Sequence, residues 1–196
     1  MDPKNYLNST FEESQRIQKA FMERCESRVI EAAQLMAQCI NSGGKVLICG
    51  NGGSASDAQH MAAEMVGRML VDRRPLAALA LTTDSSNLTA IGNDFGFDHV
   101  FEMQVKGLAR PGDLLIAIST SGSSPNVLKA AEAARSLDVK VLGITGKDGG
   151  RLKEVSDHCL IVEEGKNSSR IQETHIFILH SLVDLCDRFF LKKELL

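Results

Sequence analysis

Residues 113–124 read DLLIAISTSGSS, and this stretch decides the fold because it joins a buried strand to a loop of hydroxyl groups. The apolar run is long enough for a strand and too short for a helix. Its lack of alternation is typical of a strand in a parallel sheet that is covered on both faces. Ser124 and Pro125 then suit the N-cap and first turn of a helix predicted at about 124–136. The stretch therefore predicts a strand–loop–helix unit of an α/β fold.

The same rhythm continues on both sides of this unit. Four further apolar runs lie at residues 45–49, 77–81, 139–144 and 159–162, and helical segments at about 54–69, 85–107 (with an interruption) and 168–192. Alternating strands and helices imply right-handed crossovers, so we predict a three-layer, doubly wound, five-stranded parallel sheet. The 196 residues suffice for a single domain, with a helical extension at about 1–42 and an α/β core at about 43–196.

The N-terminal extension has its own pattern. Residues 9–41 carry apolar side chains at helical spacing and end at a glycine pair, which is a typical helix stop. We predict two helices here, with a break near residues 25–27. Because the first helix lies outside the sheet pattern, its apolar stripe needs a cover, and we expect a partner subunit to supply it.

Composition argues against several classes of protein. The net charge is −3, from 22 basic and 25 acidic residues, which disfavours binding to nucleic acid or to a membrane surface. The N-terminus has no apolar signal segment, and no apolar run approaches the roughly 20 residues of a membrane span. The cysteines lack a CxxC spacing, so we expect free thiols in a reducing compartment and predict a cytoplasmic protein. They are Cys25, Cys39, Cys49, Cys159 and Cys186.

Two strand ends are unusually polar, at residues 50–56 and 119–126. Ligands of an open parallel sheet bind outside the carboxyl ends of its strands. A helix start combined with small hydroxyls makes an anion site. Such a loop can also be a simple turn and cap, but five hydroxyls in the six residues 119–124 favour phosphate binding. Neither the P-loop motif nor a dinucleotide fingerprint is present.

Two helices carry titratable or metal-binding side chains. His60 and Glu64 are four residues apart and share a helix face that can look into the same cleft. The pair could bind a metal, act as acid and base, or be a surface pair without a role. His180 lies in an apolar stretch, and spacing alone favours a core histidine. Gln172 lies eight residues earlier, roughly 80° around the helix.

The remaining candidates are less specific. Asn93 and Asp94 precede an aromatic–glycine pair, and they either form a turn and cap or hold substrate hydroxyls. We interpret His175 as structural or peripheral. His99 and His158 have no supporting neighbours in the sequence.

Four segments in this order resemble the phosphoheptose isomerases, which have the SIS (sugar isomerase) fold; the segments are residues 50–54, 92–94, 119–124 and 170–173. The resemblance covers essentially the whole chain. It implies a homotetramer with active sites at subunit junctions. It also implies conversion of D-sedoheptulose 7-phosphate to D-glycero-D-manno-heptose 7-phosphate through a cis-enediol. That reaction is the first step of bacterial heptose biosynthesis for the lipopolysaccharide core and related glycans.

The resemblance also implies a role for each matching residue. The phosphate would be held by Ser119, Thr120, Ser121 and Ser124, and the sugar would be lined by Asn51, Gly52, Gly53, Asn93 and Asp94. Glu64 and His180 would be the acid–base pair, with Glu64 and Gln172 also in contact with the substrate. One zinc ion per subunit would be bound by His60, Glu64, Gln172 and His180. Some members have Asp directly before the Arg-Ile-Gln motif, where this chain has Ser169.

Two alternatives accompany this interpretation. One is a non-catalytic SIS protein that binds the replication initiator, but that relative lacks the equivalents of Glu64 and His180. The other is a sugar-phosphate isomerase of other specificity. A sugar-phosphate sensor would need an attached DNA-binding domain, and no helix-turn-helix fits in 196 residues beside the predicted sheet.

Overall fold

Strands and helices alternate along the chain in a computed structural model that describes residues 2–194. The elements are α1 (Pro3–Asn41), β1 (Val46–Gly50), α2 (Gly53–Val66), β2 (Ala78–Ala80), α3 (Ser85–Asp94), α4 (Val100–Leu108), β3 (Leu114–Ser119), α5 (Pro125–Ser136), β4 (Lys140–Gly146), α6 (Gly150–Val155), β5 (His158–Val162) and α7 (Ser168–Glu194). A 3-10 turn, Phe97–His99, lies between α3 and α4 and is the interruption predicted within residues 85–107.

The five strands form one parallel sheet in the order β2-β1-β3-β4-β5, which confirms the predicted fold class. The chain moves to one side of β1 to build β2 and then returns to the other side to build β3. In the register of the two central strands, Gly50 of β1 lies opposite Ile118 of β3. The polar loops after these strands therefore leave the sheet side by side, at the edge where such folds bind ligands.

Two layers of helices cover the sheet. Along β1, Val46 and Ile48 pack with α1, α2 and α7 on one face, whereas Leu47 and Cys49 pack with α4, α5 and α6 on the other. All five residues of β1 and all six of β3 are buried. This double burial explains why the strands have continuous apolar sequences.

The prediction of a break in the N-terminal helix is wrong, because α1 is one continuous helix of 39 residues. Cys25 lies in the buried stripe between Phe21 and Val29, while residues 26 and 27 lie on the exposed face. The polar residues near position 26 are thus the outer face of the helix and not an interruption. From Ile17 onward the stripe packs against α7 of the same chain, so the expected cover by a partner subunit is also wrong for this part.

Smaller differences concern short elements. The six-residue helix α6 is absent from the sequence-based prediction, because fewer than two helical turns show no periodicity. The edge strand β2 is three residues long, shorter than its apolar run at 77–81. Within residues 2–194, none of the helices is long and apolar enough to cross a bilayer.

Candidate active site

The hydroxyl-rich loop after β3 is a closed turn at the start of α5. The amide N–H of Gly122 donates to the carbonyl of Ser119 at 3.0 Å, and the hydroxyls of Ser119 and Ser124 lie 3.0 Å apart. Ser124 is the N-cap residue of α5, but its side chain makes no capping hydrogen bond. Ser121 is exposed, and Thr120 and Ser124 are half-buried. The loop therefore presents hydroxyls beside a helix start, as anion binding requires.

The segment after β4 packs against this loop and fixes its conformation. Gly122 has φ +65°, and a side chain there would collide with the carbonyl of Gly149. The N–H of Leu152 in α6 donates to the carbonyl of Gly122 at 2.9 Å. At the end of β4, Nε2 of His175 lies 3.1 Å from the carbonyl oxygen of Thr145. Complete burial lowers the pKa of His175 to about 4, so this histidine is neutral and structural, as the sequence interpretation has it.

His60, Glu64 and His180 form a tight cluster between α2 and α7. Nε2 of His60 lies 3.2 Å from Oε1 of Glu64 and 3.1 Å from Nε2 of His180. Nε2 of His180 lies 3.6 Å from the same Glu64 oxygen. The two histidine side chains are 48% and 45% exposed, and that of Glu64 is 16% exposed. The interpretation of His180 as a core histidine, which spacing alone favoured, is therefore wrong.

The chemistry of this cluster fits a metal ion. Its three ligand atoms lie within 4.8 Å of one another, and two imidazole nitrogens with one carboxylate oxygen suit zinc. Among the described residues, the second oxygen of Glu64, Oε2, is buried without a hydrogen-bond partner. Such a lone pair needs a partner, and a cation or the proton of a bound substrate could supply it. The cluster therefore suits metal binding and acid–base chemistry equally.

Gln172 lies outside this cluster, near the N-terminal ends of the same two helices. A side chain at Gly53, the first residue of α2, would collide with the Gln172 amide. Farther along both helices, His60 of α2 meets His180 of α7. The two helices therefore run in parallel, and together they carry all four of the residues predicted to bind zinc.

A buried ion pair that the sequence analysis missed locks these helices together. The side chains of Arg73 and Asp187 are 0% and 1% exposed, and Nε of Arg73 donates to Oδ1 of Asp187 at 2.7 Å. The same guanidinium donates to the carbonyls of Glu64, Met65 and Gly67, each at 2.9 Å. It thus caps the C-terminal end of α2. The one signal in the sequence was an aspartate in the apolar part of α7, two turns after His180.

The glycine loop after β1 is held by a second polar contact. The amides of Asn51 and Asn126 exchange two hydrogen bonds, of 2.8 and 2.9 Å. Gly52 is the N-cap residue of α2 with φ +56°, a conformation that favours glycine. One turn before His60, burial raises the pKa of Asp57 to about 6, and the charge of His60 opposes that shift. The sequence analysis singled out neither Asn126 nor Asp57.

The remaining candidates lie elsewhere. Asn93 and Asp94 are exposed in the last turn of α3, where the Asn93 amide donates to Asp94 at 2.7 Å. Nδ1 of His99 lies 2.6 Å from Oε2 of Glu102, so this histidine does have a partner. His158 contacts the carbonyl of Arg28 at 2.8 Å through Nε2. Ser169 is exposed in the first turn of α7.

Comparison with known proteins gives one consistent picture. The family model for the SIS domain matches residues 10–146. A phosphoheptose isomerase of Campylobacter jejuni is 47% identical over 186 residues, which cover 95% of this chain and 99% of the relative. The solved phosphoheptose isomerase of Neisseria gonorrhoeae superposes with a TM-score of 0.89 at 47% identity, covering 94% of this chain and 98% of that one. For the Francisella tularensis phosphoheptose isomerase, the TM-score is 0.92 at 39% identity, with coverages of 96% and 100%.

We expect Arg73→Met to lower the free energy of unfolding by about 3–5 kcal/mol, because it leaves Asp187 and several carbonyls buried without a partner. Urea unfolding at neutral pH measures the change. The matched control is Arg188→Met, which removes an exposed arginine paired with Asp184 one turn earlier, and it should cost less than about 1 kcal/mol. Equal stability of the two variants would show that the buried pair does not hold the helices.

Proposed function

This chain belongs to the phosphoheptose isomerases, and from that premise we propose that it converts D-sedoheptulose 7-phosphate to D-glycero-D-manno-heptose 7-phosphate. The observation that carries the proposal is the His60–Glu64–His180 cluster between α2 and α7. Two imidazoles that share one carboxylate oxygen can exchange protons with a bound substrate, which sets this cluster apart from an isolated pair such as His99 and Glu102. The product would enter bacterial heptose biosynthesis for the lipopolysaccharide core and related glycans.

The two ends of the substrate bind to different loops. Its phosphate is held by the hydroxyls and amide N–H groups of residues 119–124, because these groups stand at the start of α5. The sugar extends past the glycine loop of residues 50–54 towards α2, with Gln172 beside Gly53. Binding energy from the phosphate then orients the reacting carbons at Glu64.

Isomerisation moves a carbonyl group from C2 to C1 of the sugar. Glu64 takes a proton from C1, which gives a cis-enediol, and returns that proton to C2. A proton must also pass from the oxygen on C1 to the oxygen on C2, and we assign this transfer to His180, whose Nε2 lies 3.6 Å from Oε1 of Glu64. The buried, unpartnered Oε2 of Glu64 is a suitable acceptor, because no described protein hydrogen bond competes for its lone pair.

We also propose that His60, Glu64, Gln172 and His180 hold one zinc ion per subunit. Zinc would supply Lewis-acid polarisation of the substrate oxygens on C1 and C2. Nε2 of His180 cannot bind a metal and move a proton at the same time, so its proton-carrying role belongs to the site without metal. The donor set of nitrogen and oxygen atoms supports the proposal.

The oligomer is a homotetramer in this proposal, with active sites at the junctions between subunits. The support is a surface that one chain leaves uncovered in the first turns of α1. Tyr6, Leu7 and Phe11 are 59%, 67% and 61% exposed there, before the stripe turns into the core at Ile17. Asn93 and Asp94, which are exposed, would then line the sugar from such a junction. The five cysteines are free and buried, as suits a cytoplasmic enzyme.

Glu64→Gln should lower kcat on D-sedoheptulose 7-phosphate by about a hundred- to ten-thousandfold, because an amide cannot accept the C1 proton. Turnover to the aldose measures this. The matched control is Glu102→Gln, which alters another carboxylate that contacts a histidine, His99, and it should retain activity. An inactive wild-type protein, with or without added zinc, would overturn the isomerase proposal. A fully active Glu64→Gln would overturn the assignment of the base.

Metal analysis by mass spectrometry should find about one zinc per subunit in the wild-type protein and far less in His60→Ala, which removes one of three clustered ligands. The control is His99→Ala, because His99 pairs with a glutamate and belongs to no proposed zinc site. Its zinc content should equal that of the wild type. Equal, negligible zinc in all three proteins would remove the metal from the proposal.

Light scattering should give about four times the 21.3 kDa mass of one chain. The double variant Leu7→Lys and Phe11→Lys should have a lower mass, because it places charge on the exposed apolar surface of α1. Glu12→Lys, on an exposed position in the same turns, is the control and should leave the mass unchanged. A monomeric wild-type protein would contradict the proposed assembly.

A further inference from the structure

The reciprocal pair of Asn51 and Asn126 lies where the chain leaves the two central strands. Asn51 directly follows β1, and Asn126 is the second residue of α5, after the hydroxyl loop that follows β3. Helix α2 then packs on one face of the sheet and α5 on the other. The two loops therefore diverge from this point, and the amide pair joins them across the crevice between them.

The pair has a single orientation. Oδ1 of Asn126 accepts hydrogen bonds both from the Asn51 amide at 2.8 Å and from the backbone N–H of Val127 at 3.0 Å. If the amide of Asn126 were turned over, its NH2 group would face two donors. Its own NH2 group donates to Oδ1 of Asn51 at 2.9 Å, which orients Asn51 in turn. Asn126 is only 2% exposed, so water cannot readily replace these bonds.

The pair joins loops that hold opposite ends of the substrate. In the proposed function, on which this inference rests, the hydroxyl loop binds the phosphate. The glycine loop begins α2, which carries His60 and Glu64. Because α2 fixes the distance from Gly53 to Glu64, the separation of the two loops then sets how many carbons fit between the phosphate and the carbon that loses its proton.

We propose that Asn126 is a positioning residue that, through Asn51, holds the two loops at the separation a seven-carbon sugar phosphate requires. It acts on substrate length without touching the substrate. The NH2 group and Oδ1 of Asn51 both hydrogen-bond to Asn126. Asn51 therefore holds the two loops together in addition to any contact that it makes with the sugar. Selectivity for the seven-carbon substrate over shorter ketose phosphates is then a property of this amide pair.

Asn126→Ala tests the proposal in three measurements. We expect kcat/KM for D-sedoheptulose 7-phosphate to fall about ten- to hundredfold, because small displacements of a bound substrate are costly to its reaction. The ratio of this value to that for D-ribulose 5-phosphate should also fall. The inhibition constant of inorganic phosphate, a competitive inhibitor, should change by less than about twofold, because the substitution alters none of the residues 119–124 that bind phosphate. Loss of phosphate inhibition in parallel with activity would instead show a collapsed loop and overturn the proposal.

A double-mutant cycle with Asn51→Ala identifies the partner. Residues that act through one contact are not additive, so the double variant should be no worse than the poorer single variant. If the fold losses in kcat/KM of the two single variants multiplied in the double variant, Asn126 would act independently of Asn51, and the inference would be overturned.

Leu128→Ala separates positioning from stability. Leu128 is buried in the same helix α5, so its truncation should lower Tm while leaving the amide pair and the substrate selectivity intact. Equal loss of selectivity in Leu128→Ala would overturn the proposal. An inactive wild-type protein would overturn the proposed function and this inference with it, whereas an active wild type with unchanged selectivity in Asn126→Ala overturns the inference alone.

Discussion

Between β1 and β3 the chain reverses its direction of winding, and the crevice that this reversal leaves open is the constraint on which the functional groups depend. No crossover connection covers that point, because α2 and α5 pack on opposite faces of the sheet. Both polar loops open into it. Their backbone N–H groups and hydroxyls remain available to a ligand because the strands below them, buried on both faces, hold the loop ends in place.

Polar contacts that are closed to water hold the two helices that carry the proposed catalytic residues. Arg73 and Asp187 are almost completely buried, and removing such charges from water is costly unless every hydrogen bond is made. Arg73 makes five hydrogen bonds, to Oδ1 of Asp187 and to the carbonyls of residues 64, 65, 67 and 74, whereas Oδ2 of Asp187 is buried without a partner among the described residues. His60 and His180 remain about half exposed and can meet a substrate. Rigid support behind accessible groups is what a site that orients its substrate requires.

The helix α1 divides its length between two tasks. From Ile17 to Ile40 its buried stripe belongs to the layer that contains α7, so this part contributes to the core on which the His180 helix rests. Its first turns instead expose Tyr6, Leu7 and Phe11. One amphipathic element can thus stabilise the chain that contains it and offer an apolar surface to another copy.

The sequence alone determined the features that depend on near neighbours along the chain. Continuous apolar runs predicted the five parallel strands, the order of hydroxyls predicted the loop at 119–124, and a four-residue spacing placed His60 beside Glu64. Periodicity, however, reports only that a helix has an apolar face. It made polar positions in α1 look like a break, and it put His180 in the core.

Tertiary structure decided which distant groups meet. Arg73 and Asp187 are 114 residues apart in the chain, His60 and His180 are 120 apart, and Asn51 and Asn126 are 75 apart. Hydrogen bonds and ion pairs act over a few ångströms, and the sequence carries no local sign of which residues packing will bring that close. The parallel packing of α2 and α7 brings the first two pairs together. The positions of the two loops at the centre of the sheet bring the third pair together.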